Sequence, residues 1–194
     1  MDNNHITRRA FVLGSLALMT SGCSSLGWPI SPVFAARTGL YPRYRRQQVR
    51  YDGSEPAGTI VVNTSERRLY FVEGDGWAMR YAVAVGEEGL TLKGEATIGR
   101  KEEWPSWTPT ADMIRRKPRL AQYAGGVAGG PQNPLGASAL YLYRAGHDTR
   151  FRLHGTNEPW SIGQAVSNGC IRLTNEDIVD LYNRAPLGTT VLVI

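Results

Sequence analysis

Two short stretches hold the side chains best suited to chemistry. One is His154-Gly155-Thr156. The other, one loop later, is Ser167-Asn168-Gly169-Cys170-Ile171-Arg172-Leu173. A cysteine attacks a carbonyl as its thiolate, and a free thiol ionises only near pH ~8.5. It therefore needs a neighbouring base, and an imidazole suits that task at neutral pH. His154 fills this role if the intervening loop folds back. Gly169 lets the chain turn sharply before Cys170, so that backbone N–H groups there face a substrate carbonyl, as an oxyanion hole requires. Arg172 lies two residues past Cys170. In an extended segment it shares the thiol's face and suits a carboxylate. Three other readings stand beside this one. A lone Cys is often a small buried hydrophobe. His and Cys also bind metals, with His147 or Asp148 as additional ligands, although the spacing is not that of a zinc site. His147 is a rival base, but it lies in Arg144-Ala-Gly-His-Asp148, which reads as an exposed turn. His5 lies in the N-terminal segment and is set aside.

Positioning these residues falls to a strand-rich domain. Thr59–Asn63, Arg67–Val72 and Trp77–Val85 read as three strands in series, joined by turn residues. Glu95–Ile98, Ala139–Tyr143, Thr149–Leu153 and Thr189–Ile194 are further strands. His154 then directly follows a strand. Thr174 caps a helix running to about Arg184, whose Ile178, Leu181 and Tyr182 recur at helical spacing and which Pro186 ends. Between residues 86 and 136 the chain is rich in Gly, Pro and polar residues, with a short helix at Ala111–Arg116. Trp104 and Trp107 stand near Arg115, Arg116, Lys117 and Arg119, which suits a lid over a binding site. A solvated basic surface over packed tryptophans is the alternative.

Length and charge restrict the options. The chain has 194 residues, 42% hydrophobic and 20% charged, enough for one domain with its own core. No apolar run reaches the ~18 residues of a membrane span. The formal net charge is +5, but residues 1–50 carry seven Lys/Arg and one Asp/Glu, whereas the remainder carries 15 and 16. The basicity sits in the N-terminal segment, so a nucleic-acid surface on the domain loses its main support.

That segment reads as an address. Arg8-Arg9 precede an apolar stretch, Ala10 to Met19, in the pattern of a twin-arginine-like export signal. Two processing sites compete: Thr20-Ser21-Gly22-Cys23, which would lipidate Cys23, and Val33-Phe34-Ala35. We expect an export signal over 1–36, a flexible basic linker over 37–56 and a catalytic domain over 57–194. The expected location is the periplasm, with a lipid anchor through Cys23 as a variant. Export leaves Cys170 without a disulfide partner, which marks it as a reactive thiol.

His154-Gly155-Thr156 followed by Ser167-Asn168-Gly169-Cys170-Ile171-Arg172-Leu173 resembles the signature of the L,D-transpeptidases with a YkuD-type catalytic domain. Asn133-Pro134-Leu135-Gly136 and Ala139–Leu142 resemble a stretch that precedes it in many members. The resemblance implies a mainly β, sandwich-like fold with minor α content. It also implies acyl transfer on peptidoglycan stem peptides, with loss of a terminal D-Ala and an amine as acceptor. By the same likeness Cys170 is the nucleophile, His154 the base, and the Gly155 carbonyl orients the imidazole. The N–H groups of Gly169 and Cys170 form the oxyanion hole, while Ser167, Asn168, Arg172 and Thr156 shape the site. No cofactor or metal is implied. Carbapenems are expected to acylate Cys170. Many members carry His where this chain has Asn168. The acceptor stays open between a second stem peptide, an outer-membrane protein and water (a carboxypeptidase or endopeptidase), and so does a non-catalytic wall-binding module. Oligomeric state is not legible here.

Overall fold

A computed structural model describes residues 42–87, 90 and 92–194. The expected export signal, Cys23 and residues 37–41 lie outside this range.

Eleven strands and two α-helices make up the described fold. The strands are β1 (Gln47–Arg50), β2 (Ile60–Asn63), β3 (Arg68–Gly74), β4 (Trp77–Ala82), β5 (Val85–Gly86), β6 (Gly94–Glu103), β7 (Ser138–Arg144), β8 (His147–His154), β9 (Ala165–Ser167), β10 (Ile171–Arg172) and β11 (Thr190–Val193). The helices are α1 (Ala111–Arg116) and α2 (Asn175–Arg184). Nine strands form one sheet in the order β1-β4-β3-β2-β11-β6-β7-β8-β10, and β5 pairs with β9. Just past β4, Ala84 exchanges two backbone hydrogen bonds with Arg172 of β10, each 2.9 Å. The far end of the sheet thus returns to a segment near its beginning. The sheet curls around one core, which joins Ile60, Leu69 and Tyr81 to Leu140, Leu153 and Ile171. The fold is mainly β with minor α, as the sequence suggested, and its layers belong largely to one curled sheet.

One expected boundary shifts. Residues 47–50, read as linker, form the strand β1 and pair antiparallel with β4. Half-buried Val49 and the stacking of the Arg50 guanidinium over Trp77, 4.1 Å from the ring centre, give this polar stretch its hold.

Helix α2 packs on β7 and β8 through Ile178 and Leu181, both fully buried. The Thr174 hydroxyl caps it by accepting from the Asp177 N–H at 3.1 Å. Lys101 Nζ donates to the Tyr182 and Ala185 carbonyls at its other end. At the first helical position, Asn175 Oδ1 accepts from the N–H groups of Ala137 (3.0 Å) and Thr156 (3.1 Å). It thereby ties the loop before β7 to the loop after β8. Both N–H groups are buried, and leaving each unpaired costs about 1–3 kcal/mol. Asn175→Ala should therefore lose several kcal/mol of stability, read as a lower urea midpoint with an unchanged slope. An unchanged midpoint would show that water replaces the amide.

Candidate active site

The site is built by register. β10 runs parallel to β8, with Ile171 opposite Leu153 and Arg172 opposite His154. Cys170, one residue before β10, lies in a bend on the extension of this ladder, beside Arg152. Its Sγ lies 3.8 Å from the Arg150 carbonyl, to which the thiol donates. Since side chains alternate along strands, Cys170, Arg172, Arg152 and His154 share one face. Two adjacent rows result. One crosses Arg100, Tyr141, Arg152 and Cys170, and the other crosses Ala139, His154 and Arg172.

His154 is 4% exposed. Its Nδ1 lies 2.6 Å from the Gly155 carbonyl. A carbonyl only accepts, so Nδ1 carries the proton and Nε2 keeps its lone pair. Burial, and then the charge of Arg172, push the imidazole down to about 3, against a smaller upward pull from the Gly155 carbonyl. Burial likewise raises the Cys170 thiol, while the Arg152 N–H and the charges of Arg152 and Arg172 favour its ionised form. At neutral pH the resting pair is thus a neutral thiol and a neutral imidazole. Such a pair acts by passing a proton as the attack occurs.

The depressed imidazole has a stability consequence. In the unfolded chain His154 takes a proton near pH ~6.5, and in the fold only near 3. Between these values only the unfolded state gains the proton, so stability falls as pH falls. Buried Asp177, raised to about 6, works in the opposite sense over part of this range. The His154 contribution is isolated by comparing wild type with His154→Gln. From pH 7 to pH 4 wild type should lose about 3 kcal/mol relative to the variant in urea unfolding. A difference independent of pH would contradict it.

Gly155 serves packing as well as orientation. A Cβ there would meet Asn175 Oδ1 at 2.3 Å and the Ala137 nitrogen at 3.0 Å. Gly169 has φ +123°, and a Cβ on it would meet the Leu90 carbonyl at 2.6 Å and Phe151 at 2.8 Å. The bend before Cys170 is therefore reserved for glycine.

The structure revises the parts assigned to three residues. The Gly169 N–H, expected in the oxyanion hole, donates to Ser167 Oγ at 3.1 Å and is already engaged. Ser167 Oγ in turn donates to the Cys170 carbonyl at 2.5 Å, so this buried hydroxyl pins the turn. Thr156 is also buried, and its Oγ1 accepts from the Glu158 N–H at 2.9 Å. It shapes the turn that presents Glu158 to Arg172, whose Nη1 lies 2.8 Å from the Glu158 carboxylate. Arg172 Nε and Asn168 Oδ1 are buried without hydrogen-bond partners. His147 is exposed at the β7–β8 hairpin, and the Asp148 carboxylate pairs with Arg152. Neither joins Cys170 in a ligand set.

Beside Arg172 lies a cavity of about 530 Å³, lined by Asn168, Arg172, Trp160, Trp107, Tyr123 and Arg119. The 104–136 segment supplies one wall. It is folded: Trp107 and Val127 exchange backbone hydrogen bonds, and the fully buried Asn133 binds the Val127 and Ala128 carbonyls and the Leu135 N–H. This placement suits a lid.

Sequence reading missed Arg152, Glu158 and Asn175. Arg152 had a signal, since it lies two residues before His154 on one strand and so on its face. Glu158 and Asn175 act across folded loops and had none.

Comparison with known proteins identifies relatives of this chain. The family model described as the YkuD L,D-transpeptidase catalytic domain matches residues 57–193. An Escherichia coli protein described as probable L,D-transpeptidase ErfK/SrfK is 37% identical over 86% of this chain and 53% of its own length. Another from the same organism, described as probable L,D-transpeptidase YbiS, is 37% identical over 68% of this chain and 43% of its own. The chain thus spans about half the length of these relatives. A solved Brucella melitensis structure, described as a probable carnitine operon oxidoreductase, is 48% identical, covers 82% of this chain and 99% of that one, and superposes with a TM-score of 0.54. The signature residues, their shared sheet face and the match over 57–193 lead to one conclusion: the chain belongs to the YkuD family of L,D-transpeptidase catalytic domains.

Proposed function

We propose that this protein transfers an acyl group of a peptidoglycan stem peptide to an amine through a thioester on Cys170. The observation that carries the reading is the shared face of Cys170 and His154, with the imidazole fixed in the tautomer that leaves Nε2 free. In the first half-reaction the thiol proton passes to Nε2 as Sγ bonds to the carbonyl carbon. The developing oxyanion is met by the Cys170 N–H. The intermediate collapses, the amine of the terminal D-Ala leaves, and it takes the proton from Nε2. In the second half, an acceptor amine gives its proton to Nε2, bonds to the carbonyl carbon and expels Sγ, which takes that proton from Nε2 and restores the neutral pair. The donor peptide lies along the cavity beside Arg172, where Arg172 Nε and Asn168 Oδ1 lack partners that a peptide could supply. We place the enzyme in the periplasm, exported through the twin-arginine-like segment, and either released by cleavage near Ala35 or anchored by lipidation of Cys23. These steps are the same whether the acceptor amine belongs to a second stem peptide or to an outer-membrane protein. Carbapenem acylation follows from the same nucleophile and would add the drug's mass to the Cys170 peptide.

The test incubates the protein with disaccharide-tetrapeptides and reads the products by mass spectrometry. Cross-linked dimers with loss of D-Ala support the proposal. Loss of D-Ala without dimers, even with added amines, would make water the acceptor and the enzyme a carboxypeptidase. No acyl-enzyme and no product would favour a binding module.

A further inference from the structure

The row through Cys170 continues away from the nucleophile in an ordered cationic assembly that the chemistry above does not use. The Arg152 guanidinium, 15% exposed, lies 4.3 Å from the Tyr141 ring centre, and Arg100 stacks on the same ring at 4.3 Å. Asp148 grips Arg152 through both carboxylate oxygens, at 2.7 and 2.8 Å. The Tyr141 hydroxyl donates to Glu102 at 2.7 Å, and Glu102 also pairs with Arg100. An arginine held by a two-point carboxylate contact and an aromatic face has little rotamer freedom left. This one is held in the row that ends at Cys170.

We infer that Arg152, seated by Asp148 and Tyr141, is the cation that holds the Cys170 thiolate as it forms and leaves, and that Asp148 is its positioning residue. The charged or titratable groups around the thiol are Arg152 and Asp148 on β8, Arg172 on β10, and His154. Arg172 is matched by Glu158. His154 is neutral and acts as the proton carrier. Arg152 stands beside Cys170 on the extension of the β8–β10 ladder, so its positive charge lies on the side of the strand where the thiolate forms and favours the ionised thiol. This division of labour separates the group that stabilises the anion from the group that moves its proton. The inference rests on Cys170 as the nucleophile, but its test needs no substrate, so it can fail while the transfer reaction stands.

The test measures alkylation of Cys170 by iodoacetamide across pH on the full chain. Mass spectrometry of the Cys170 peptide separates it from Cys23. Arg152→Gln should raise the midpoint by about one pH unit and slow alkylation at pH 7 about tenfold. Arg152→Lys keeps the charge and should recover most of the rate. Asp148→Asn discriminates between a charge placed by its seat and a merely structural contact. Removing a nearby negative charge would by itself lower the midpoint, whereas loosening the guanidinium raises it. A rise is expected. If Arg152→Gln does not fold, Asp148→Asn decides alone. An unchanged midpoint in folded Arg152→Gln, or a lowered one in Asp148→Asn, overturns the inference.

Discussion

Cys170→Ala is expected to end acyl transfer while leaving the fold in place. The half-buried thiol makes a long contact with the Arg150 carbonyl, so its loss removes little packing or hydrogen bonding. The turn that presents it is held by Ser167 and Gly169, and β10 by its pairing with β8 and Ala84, none of which needs the sulfur. The melting temperature should move by no more than the few degrees that correspond to about 1 kcal/mol in a domain of this size. Release of D-Ala and the acyl-enzyme mass should both vanish, since no other group takes over the covalent step. An alanine variant that still forms cross-links would remove Cys170 from the mechanism.

His154→Gln should lower kcat/KM by about 10²–10⁴ at neutral pH, the range for a positioned proton-transfer group. Glutamine preserves bulk and polarity but cannot take the thiol proton. The wild-type pH profile distinguishes this imidazole from a solvent-exposed one. A base with an ordinary pKa of ~6.5 would lose activity as pH falls through that value. His154 stays unprotonated down to about 3, so its basic form persists throughout mildly acid conditions. The acid limb of kcat/KM should therefore not centre near 6.5. A limb centred there, and absent from His154→Gln, would mean that the imidazole is far more accessible to protons than its burial implies.

Much of this site could be read in the sequence because its parts are local. Thr149–Leu153 shows strand character, Gly155 follows His154 directly, and Thr174 announces α2. The unread parts are non-local. Strand β10 has two residues, too few for any periodicity, and exists only by pairing with β8 on one side and Ala84 on the other. Strand β9 is likewise defined by β5, far away in the chain. The glycine before Cys170 correctly signalled a bend. The fate of its N–H depended on where the Ser167 hydroxyl turned, which spacing does not determine. Arg152 was visible as a face-mate of His154, but its relation to Cys170 needed the parallel register. In the 104–136 segment, abundant Gly and Pro correctly excluded a long regular element. They concealed the order imposed by Asn133, which holds the segment through three backbone groups.

Strand β1 bears on how the domain behaves outside its natural setting. A fragment cut at residue 57, where the family match begins, would discard the strand that pairs with β4. The β4 backbone would then offer open donors and acceptors to any passing extended chain, with Val72, Ala78 and Tyr81 of the core close by. Such a fragment is a candidate for edge-to-edge self-association, even with every signature residue intact. Retaining residues 42–56 places Gln47, Gln48 and Arg50 at the rim instead, and polar and charged side chains discourage further strand addition. The short basic stretch is thus a guard against aggregation.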